Sequence, residues 1–355
     1  MIRVSEPRIG LRERVAVDRV LRSGKLAQGE KVAAFEREFG GWVSGRDCVA
    51  VNSGTSGLHL GLLASGIGPG DEVIVPAFTF AATVNAVLLT GATPVFADVE
   101  DDILCIDPVS VSKVVTERTR GVMAVHLFGH PADVLGLQTL GVRLFEDAAQ
   151  SHGATIDGVP VGSFGHFAVF SFYPTKNMTS GEGGMVVTSP EFAGTIRALR
   201  NQGMLVQYQN ELVGFNNRMT DIHAAIGRVQ LTRLAKWNRR RLSNAVFLAD
   251  NLSGVRLPVV RRECVPVVHQ FTVRIAEDRD GFRDALRDEF GIESGVYYPT
   301  PVHKLPSMRA FHDVSLPVTE QAAREVLSLP VHPGLSRRDL ERIVFAVNRL
   351  AGAGG

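Results

Sequence analysis

The stretch HFAVFSFYPTKNMTSGEGGMVVT, residues 166 to 188, combines the two features that decide the fold and the chemistry. Its first seven residues form a short apolar and aromatic run, which is typical of a buried β-strand, and GGMVVT at 183 to 188 predicts a second strand. A polar, glycine-rich loop between them carries one lysine, Lys176. A lysine just past a strand end can be a solvated surface side chain, or it can hold a carbonyl cofactor as a Schiff base. The remainder of the chain has to distinguish these two readings.

Similar strand-like runs precede this stretch and alternate with helical segments. They are DEVIVP, TPVFADV, GVMAVHLFG and GVRLFEDA, between residues 71 and 148. Because regular alternation requires crossover connections, the sequence predicts an α/β fold with a mostly parallel sheet covered by helices. Ligands of such sheets bind at the carboxyl ends of the strands. The loop after residue 172 therefore lies where a ligand is expected.

The C-terminal third of the chain has a different pattern. Residues 220 to 241 predict a long helix, and we interpret its run of three arginines, Arg239 to Arg241, as a solvated helix end. Beyond it come a strand-like HQFTVRI, a helical DGFRDALRDEF, a strand-like SGVYYP at 294 to 299, and a final helix. We therefore expect a large domain over residues 1 to 235, with a helical segment at its start, and a smaller α+β domain over residues 236 to 355.

Length, charge and cysteine content limit the class of protein. The chain has 355 residues, of which 45% are apolar, and this is enough for two globular cores. A net charge of +1 gives no field that would attract nucleic acid or an anionic membrane, so neither is an expected partner. The three cysteines lie far apart without a CxxC pair, which fits a reducing cytoplasm. No apolar run approaches the roughly 18 residues of a membrane span, and no signal-peptide core is visible.

A carboxylate follows another predicted strand. FEDAAQSHGA, residues 145 to 154, places Asp147 at a carboxyl strand end. Asp147 could cap a helix, or it could pair with a ring nitrogen. Pyridoxal phosphate needs such a partner, because a carboxylate keeps the pyridine nitrogen protonated and lets the ring absorb carbanion charge. Gln150, three residues further on, could reach another polar atom of the same ring.

NSGTSGLHLGLL, residues 52 to 63, is a candidate phosphate site. The turn Gly54, Thr55 and Ser56 opens an apolar helix, whose free amide groups and dipole attract anions. An ordinary Ser/Thr helix cap is the alternative. The loop does not match the Walker pattern, and GIGPGDE at 66 to 72 precedes a strand instead of following one. Nucleoside triphosphate and dinucleotide chemistry are therefore disfavoured.

Two further features allow both a structural and a functional interpretation. Phe80 follows the strand DEVIVP and could cover one face of a flat ring or belong to the core. His126 and His130 have the HxxxH spacing but lack the glutamate of a zinc protease, and they fall on a predicted strand and loop. We interpret them as structural and expect no metal site.

Together, Lys176 in its loop, Asp147 and Gln150 in EDAAQSHGA, the turn NSGTSGL and the later GFNNRMTDIHAAIGRVQL resemble the nucleotide-sugar aminotransferases of the DegT/DnrJ/StrS type. The likeness covers nearly the whole chain in one order. It implies the fold type I of pyridoxal-phosphate enzymes, with a large domain and a smaller C-terminal one, and a homodimer with shared active sites. It also implies transfer of an amino group, usually from glutamate, to a keto-sugar carried on a nucleoside diphosphate. A cyclitol aminotransferase and a cofactor-binding sensor without turnover remain alternatives.

The resemblance also implies roles for individual residues. Lys176 matches the Schiff-base lysine, Asp147 the partner of the pyridine nitrogen, and Gln150 the neighbour of the ring hydroxyl. Lys176 thereby excludes the branch of the family that carries histidine at this position and removes a hydroxyl. The remaining matches are Thr55, Ser56 and Ser171 at the phosphate, Phe80 over the ring, Asn216 at the phosphate of the other subunit's cofactor, and Lys25 and His303 near the sugar nucleotide.

Overall fold

A computed structural model describes residues 1 to 352, and its helices and strands alternate along the chain largely as the sequence predicts. The strands are β1 (Asp47–Val51), β2 (Glu72–Pro76), β3 (Thr93–Ala97), β4 (Thr119–Val125), β5 (Leu144–Asp147), β6 (Thr155–Ile156), β7 (Val159–Pro160), β8 (Phe167–Ser171), β9 (Gly184–Thr188), β10 (Met204–Val206), β11 (Gln209–Asn210), β12 (Cys264–Val265), β13 (Phe271–Arg274) and β14 (Val326–Leu329). The α-helices are α1 (Leu11–Ser23), α2 (Glu30–Gly40), α3 (Gly54–Ala64), α4 (Ala81–Leu89), α5 (Pro108–Ser112), α6 (Val134–Gln138), α7 (Pro190–Arg200), α8 (Asp221–Asn251), α9 (Arg279–Asp288), α10 (Pro317–Glu325) and α11 (Arg337–Gly352). Short 3-10 helices occupy Leu127–Gly129, Val302–Lys304 and Pro306–Phe311.

A seven-stranded sheet forms the centre of the large domain, in the order β1, β9, β8, β5, β4, β2, β3. The five strands from β8 to β3 pair in parallel, whereas β9 runs antiparallel to both of its neighbours. The prediction of a mostly parallel α/β sheet is therefore confirmed. As a result, the carboxyl ends of β1, β2, β5 and β8 lie at one edge of the sheet.

Strands β1, β8 and β9 contribute to two cores, because successive side chains point to opposite faces. In β8, Phe167 and Val169 belong to the cluster that includes Leu58 of α3. Ala168 and Phe170 belong to the cluster on the other face, which α2 and α8 help to cover. The sheet is thus buried on both faces, as a parallel sheet requires.

Glycines let α3 lie very close to the sheet. A Cβ atom on Gly57 would come within 2.8 Å of Val169 Cγ1, and one on Gly61 would come within 2.6 Å of the Phe167 ring. A Cβ on Gly54 would lie 3.0 Å from Ser171 Cβ. This close packing holds the N-terminus of α3 directly beside the end of β8.

The helix α8 extends ten residues beyond the predicted end at 241, to Asn251, and joins both domains. Near its start, the Asp221 carboxylate accepts hydrogen bonds from the amides of Gly29 and Val32, each 2.9 Å long. Near its end, Ala245 and Leu248 pack in the core of the small domain. The predicted boundary between residues 235 and 236 falls inside this helix.

The small domain is built around the antiparallel pair of β13 and β14, with α9 and α11 packed beside it. Ile2 also packs in its core, and the Ile2 amide donates to the Gly291 carbonyl at 2.8 Å. The predicted strand at 294 to 299 is wrong: only Gly295 pairs with β14, at Ser328, and bends follow. Pro299 and Pro301 lack an amide donor, so a ladder could not continue beyond this point.

Candidate active site

A cavity of about 520 Å³ opens at the carboxyl edge of the sheet and brings together most of the residues that the sequence singles out. Those that line it are Gly54, Thr55, Phe80, Asp147, Gln150, Ser171 and Lys176. They lie at or just after the carboxyl ends of β1, β2, β5 and β8, which are all at this edge of the sheet. Residues of the small domain, including His269, Gln270, Tyr297 and Tyr298, complete the wall.

Asp147 is a buried carboxylate with neutral hydrogen-bond partners. Its Oδ2 accepts a 2.7 Å hydrogen bond from the Thr83 hydroxyl, and its Oδ1 accepts one of 3.1 Å from the Ala149 amide. Thr83 in turn shares a hydrogen bond of 2.9 Å with the Thr79 hydroxyl. Burial raises the pKa of Asp147, and the hydrogen bond from Thr83 partly opposes this rise. The two threonines therefore orient the carboxylate and favour its charged form.

Lys176 lies in the loop after β8, where its amide donates to the Tyr173 carbonyl at 3.0 Å. Its side chain is half-buried because it faces the cavity. Burial lowers the pKa of Lys176 to about 8, while the charge of Asp147 acts in the opposite direction. An amine with this pKa has a substantial neutral, nucleophilic fraction near neutral pH.

Gln150 connects the cavity floor to the small domain. Its Oε1 accepts a hydrogen bond of 2.6 Å from the Phe128 amide, and its Nε2 donates to the Tyr298 hydroxyl at 3.2 Å. Burial raises the pKa of Tyr298 above its usual range, so the phenol stays protonated. Phe80 is 60% exposed and its ring centre lies 5.9 Å from that of Tyr298, which leaves one face of Phe80 open to the cavity.

The N-terminus of α3 forms the other end of the cavity. Ser53 caps the helix, since its Oγ accepts from the Ser56 amide at 3.1 Å. The Ser56 hydroxyl shares a hydrogen bond of 2.9 Å with the same Oγ. Ser56 itself does not line the cavity. Gly54, Thr55 and Ser171 do line it, so this end offers helix amides and two hydroxyl groups to an anion.

A polar layer lies beneath Lys176. The Asn177 side chain donates to Asn238 Oδ1 and to the Val267 carbonyl, each at 3.0 Å, so its own oxygen must accept from His269 Nδ1 at 3.2 Å. Burial, together with the charges of Lys176 and Arg241, holds the pKa of His269 well below its usual range. His269 is therefore a neutral imidazole that carries its proton on Nδ1.

Besides Ser56, three more predicted site residues lie outside this cavity. Asn216 and Lys25 are exposed and do not line it. His303 corrects the prediction of a sugar contact: it is fully buried, its ring centre lies 5.8 Å from that of Phe96, and its Nε2 is 3.4 Å from Glu320. Packed in this way, the imidazole belongs to the core of its own chain and cannot reach a ligand in the cavity.

The two histidines that we interpret as structural are buried in backbone contacts. His126 Nδ1 accepts from the Ala132 amide at 3.0 Å and its Nε2 is 3.1 Å from Glu146, while His130 Nδ1 donates to the Pro131 carbonyl at 2.7 Å. Within residues 1 to 352, no group of three or more potential ligand side chains is arranged to hold a metal ion. No helix in that part of the chain is long and apolar enough to cross a membrane.

Sequence reasoning missed several residues of the site. Thr79 and Thr83 carry a usable signal, since they have a helical i, i+4 spacing directly after a strand. His269, Gln270 and Tyr298 carry none, because only the tertiary packing of the small domain brings them to the cavity. Arg241 is also a correction: it is buried, not solvated, and its Nη1 donates to the carbonyls of Val268 and His269 at 3.4 and 3.1 Å.

Comparison with known proteins agrees with this geometry. The model of the DegT/DnrJ/EryC1/StrS aminotransferase family matches residues 7 to 348. The dTDP-3-amino-3,4,6-trideoxy-alpha-D-glucose transaminase of Streptomyces venezuelae is 44% identical, over 95% of this chain and 91% of that protein. The UDP-N-acetyl-3-dehydro-alpha-D-glucosamine 3-aminotransferase of Acidithiobacillus ferrooxidans is 40% identical, over 94% of this chain and 92% of that protein.

Solved structures show the same fold. The crystal structure of DesV from S. venezuelae, in complex with a ketimine intermediate, matches with a TM-score of 0.92 and 43% identity, over 96% of this chain and 94% of that one. NtdA from Bacillus subtilis, with bound cofactor PMP, matches with a TM-score of 0.90 and 30% identity, over 97% and 83%. The predicted fold class is therefore confirmed as that of the pyridoxal-phosphate aminotransferases.

Fold and site together define a sugar aminotransferase. The chain belongs to the DegT/DnrJ/EryC1/StrS aminotransferase family, as the sequence motifs predict.

Proposed function

We propose that this protein uses pyridoxal 5′-phosphate to transfer an amino group from glutamate to the C3 keto group of a hexose carried on a nucleoside diphosphate. The observation that carries the proposal is one cavity in which the Lys176 amine and the buried Asp147 carboxylate face the free amides of α3. Position C3 is supported by the relatives at 44% and 40% identity, whose names both specify it.

The residues of the cavity fit the cofactor. The hydrogen-bond donors of the buried Asp147 carboxylate are a hydroxyl and an amide, so it has no positive group in direct contact, which is costly for a buried charge. A protonated pyridine nitrogen at Asp147 would supply that partner. Gly54, Thr55 and Ser171 would hold the phosphate at the N-terminus of α3, and Phe80 would lie against the ring. When bound, pyridoxal phosphate supplies a carbonyl that accepts the amino group and a ring that absorbs carbanion charge.

In this arrangement each protein group has a limited task. Lys176 would hold the cofactor and, once free, would take and return the proton at the substrate carbon, a role that suits a pKa of about 8. Asp147 would keep its partner nitrogen protonated throughout. Gln150 and Tyr298 would form a fixed polar edge, because their mutual hydrogen bond and the Phe128 amide hold them in place.

We further propose a homodimer with shared sites. Asn216 does not line its own cavity, and Thr220, not Asn216, caps the following helix by accepting from the His223 amide. The segment before Asn216 exposes Tyr208 by 86% and Val213 by 92%. Exposed apolar side chains of this kind are typical of a protein interface. A partner subunit seated there would bring Asn216 into its active site. Lys25, on the exposed loop before α2, stays a proposed sugar contact.

The cellular setting is also a proposal. The three cysteines are buried and unpaired, which agrees with a reducing compartment and supports a cytoplasmic location. The near-balanced charge supports small-molecule substrates over nucleic acid.

The experiment that tests the proposal combines labelling with a substrate panel. Protein reconstituted with pyridoxal phosphate and reduced with borohydride should carry the cofactor on Lys176 in a peptide mass map, and Lys176→Arg should carry none there. With glutamate as donor, the protein should aminate 3-keto but not 4-keto nucleotide hexoses. An adduct on another lysine would overturn the site assignment. Amination of the 4-keto sugars alone would overturn the assignment of C3.

A further inference from the structure

We propose that Arg241 forms a subsite for a carboxylate of the amino donor, in a recess beside the active-site cavity. This inference rests on the proposed function, because it assigns a position to the amino acid that delivers the amine. The site is made by α8 and the small domain, and not by the strand ends that hold the other groups.

The recess has a volume of about 20 Å³ and adjoins the main cavity. The two spaces share four lining residues: Thr175, His269, Gln270 and Tyr297. Arg241 lines the recess but not the main cavity. A volume of this size holds one water-sized group. It could take one oxygen of a carboxylate that enters from the main cavity, but not a diphosphate. The recess therefore has room for the end of a carboxylic acid but not for the body of a sugar nucleotide.

Arg241 is a buried cation without an acidic partner. It is 6% exposed, and none of the Asp or Glu side chains in residues 1 to 352 lies within ion-pair distance of it. Its two hydrogen bonds both run from Nη1 to backbone carbonyls, and its Nε has no partner. Burial lowers the pKa of Arg241 to about 10, so it remains charged at neutral pH. An entering carboxylate would supply the missing anion, which unpaired buried charges require.

The neighbouring groups leave this charge available. His269 is neutral, lines the main cavity together with Lys176, and accepts a 3.1 Å hydrogen bond from Arg241 at its backbone carbonyl. The Gln270 side-chain amide makes no hydrogen bond with the described part of the chain, so its NH₂ group is free to turn towards an anion. An amino acid whose amine would take the place of Lys176 at the cofactor's carbonyl carbon could therefore extend past His269 and place a carboxylate at Arg241.

The competing explanation is that Arg241 only holds the loop at Val268 and His269. To separate the two, we would compare wild type with Arg241→Met, which removes the charge but keeps length, and Arg241→Lys, which keeps the charge but loses the planar fork. Binding of succinate to the cofactor-loaded protein is measured by calorimetry, and KM is measured separately for glutamate and for the keto-sugar nucleotide.

For Arg241→Met we expect succinate affinity to fall by about tenfold to hundredfold and KM for glutamate to rise by a similar factor, as for a lost charged hydrogen bond. KM for the sugar nucleotide should stay within about threefold. Arg241→Lys should show smaller changes of the same kind: weaker succinate binding and a higher KM for glutamate, with little change in KM for the sugar nucleotide. This variant keeps the test valid if the methionine variant does not fold. Equal losses for both substrates, or unchanged succinate binding, would overturn the subsite.

Donor comparison then shows which carboxylate is bound. If Arg241 binds the side-chain carboxylate, Arg241→Met should weaken glutamate but not glutamine; if it binds the α-carboxylate, both should weaken equally. Either result supports the subsite. Should wild type transfer no amine to any keto-sugar, the proposed function fails, whereas loss of succinate binding in Arg241→Met would still establish the anion site.

Discussion

Among single residues, Thr83 allows a direct test of how the charge of Asp147 affects the reaction rate. We expect Thr83→Val to slow the reaction of the loaded enzyme with glutamate by about tenfold to hundredfold, the size of a hydrogen bond to a charged group. The reason is that Asp147 loses the 2.7 Å donor that favours its charged form. Stopped-flow absorbance measures the rate. Thr83→Ser keeps the hydroxyl and should react nearly as fast as wild type; a valine variant at wild-type speed would disprove the role.

Lys176 should control how the stability of the cofactor-free protein depends on pH. Its pKa is about 8 in the folded chain against 10.5 when unfolded, so the unfolded chain binds more protons between these values. Stability should therefore rise with pH across this window. At pH 7 we expect Lys176→Met to be more stable than wild type by about 1 to 3 kcal/mol, and this gain should vanish near pH 10.5. Urea unfolding at both pH values checks this, and a gain independent of pH would contradict it.

At the level of elements, the contact between α3 and the sheet should set cofactor affinity. We expect Gly57→Ala to lower the free energy of unfolding by about 1 to 3 kcal/mol, because the new methyl would lie 2.8 Å from Val169 Cγ1. It should also weaken binding of pyridoxal phosphate, since the N-terminus of α3, the proposed phosphate site, would shift away from Ser171. Urea unfolding and cofactor titration measure the two effects.

A matched control for this substitution exists in α7. A Cβ on Gly194 would have no atom within 4 Å, so Gly194→Ala should be neutral or stabilising by up to about 1 kcal/mol through helix propensity alone. If both variants behave alike, close packing of α3 is not what positions its N-terminus.

The sequence could predict those parts of the elements and of the site that depend on neighbouring residues in the chain, and not those that depend on tertiary packing. Asp147, Gln150 and Lys176 were predictable because each follows an apolar strand, and parallel strands bring their carboxyl ends together. Tyr298 was not, because it meets Gln150 across 148 positions of sequence. The same limit explains Arg241 and His303, whose burial depends on which side of the small domain faces the large one. The tyrosines of SGVYYP favour a strand by residue type, but in the structure they line the cavity.

At the level of the whole molecule, the proposed homodimer with shared sites predicts complementation between two inactive variants. A hybrid dimer of Lys176→Ala and Asn216→Ala would have one site with both lesions and one with neither. After subunit exchange of an equal mixture, about a quarter of wild-type activity should return, because half of the dimers are hybrids with one intact site. Mass spectrometry of the intact dimers confirms exchange. If exchange occurs without recovered activity, Asn216 acts within its own chain.

The continuity of α8 has a consequence for how this chain can vary in length. Each residue added to a helix turns everything beyond it by about 100°, so a single insertion between Gly227 and Asn238 would swing Asn238 and Arg241 away from Asn177 and His269 while leaving Asp221 in place. Seven added residues, close to two full turns, would nearly restore the direction but shift it by about 10 Å along the axis. Neither insertion preserves the contacts of Asp221 together with those of Asn238 and Arg241. The number of residues between Asp221 and Arg241 therefore cannot change without breaking contacts at one end of α8. Insertions and deletions in this protein should be confined to the loops before and after this helix.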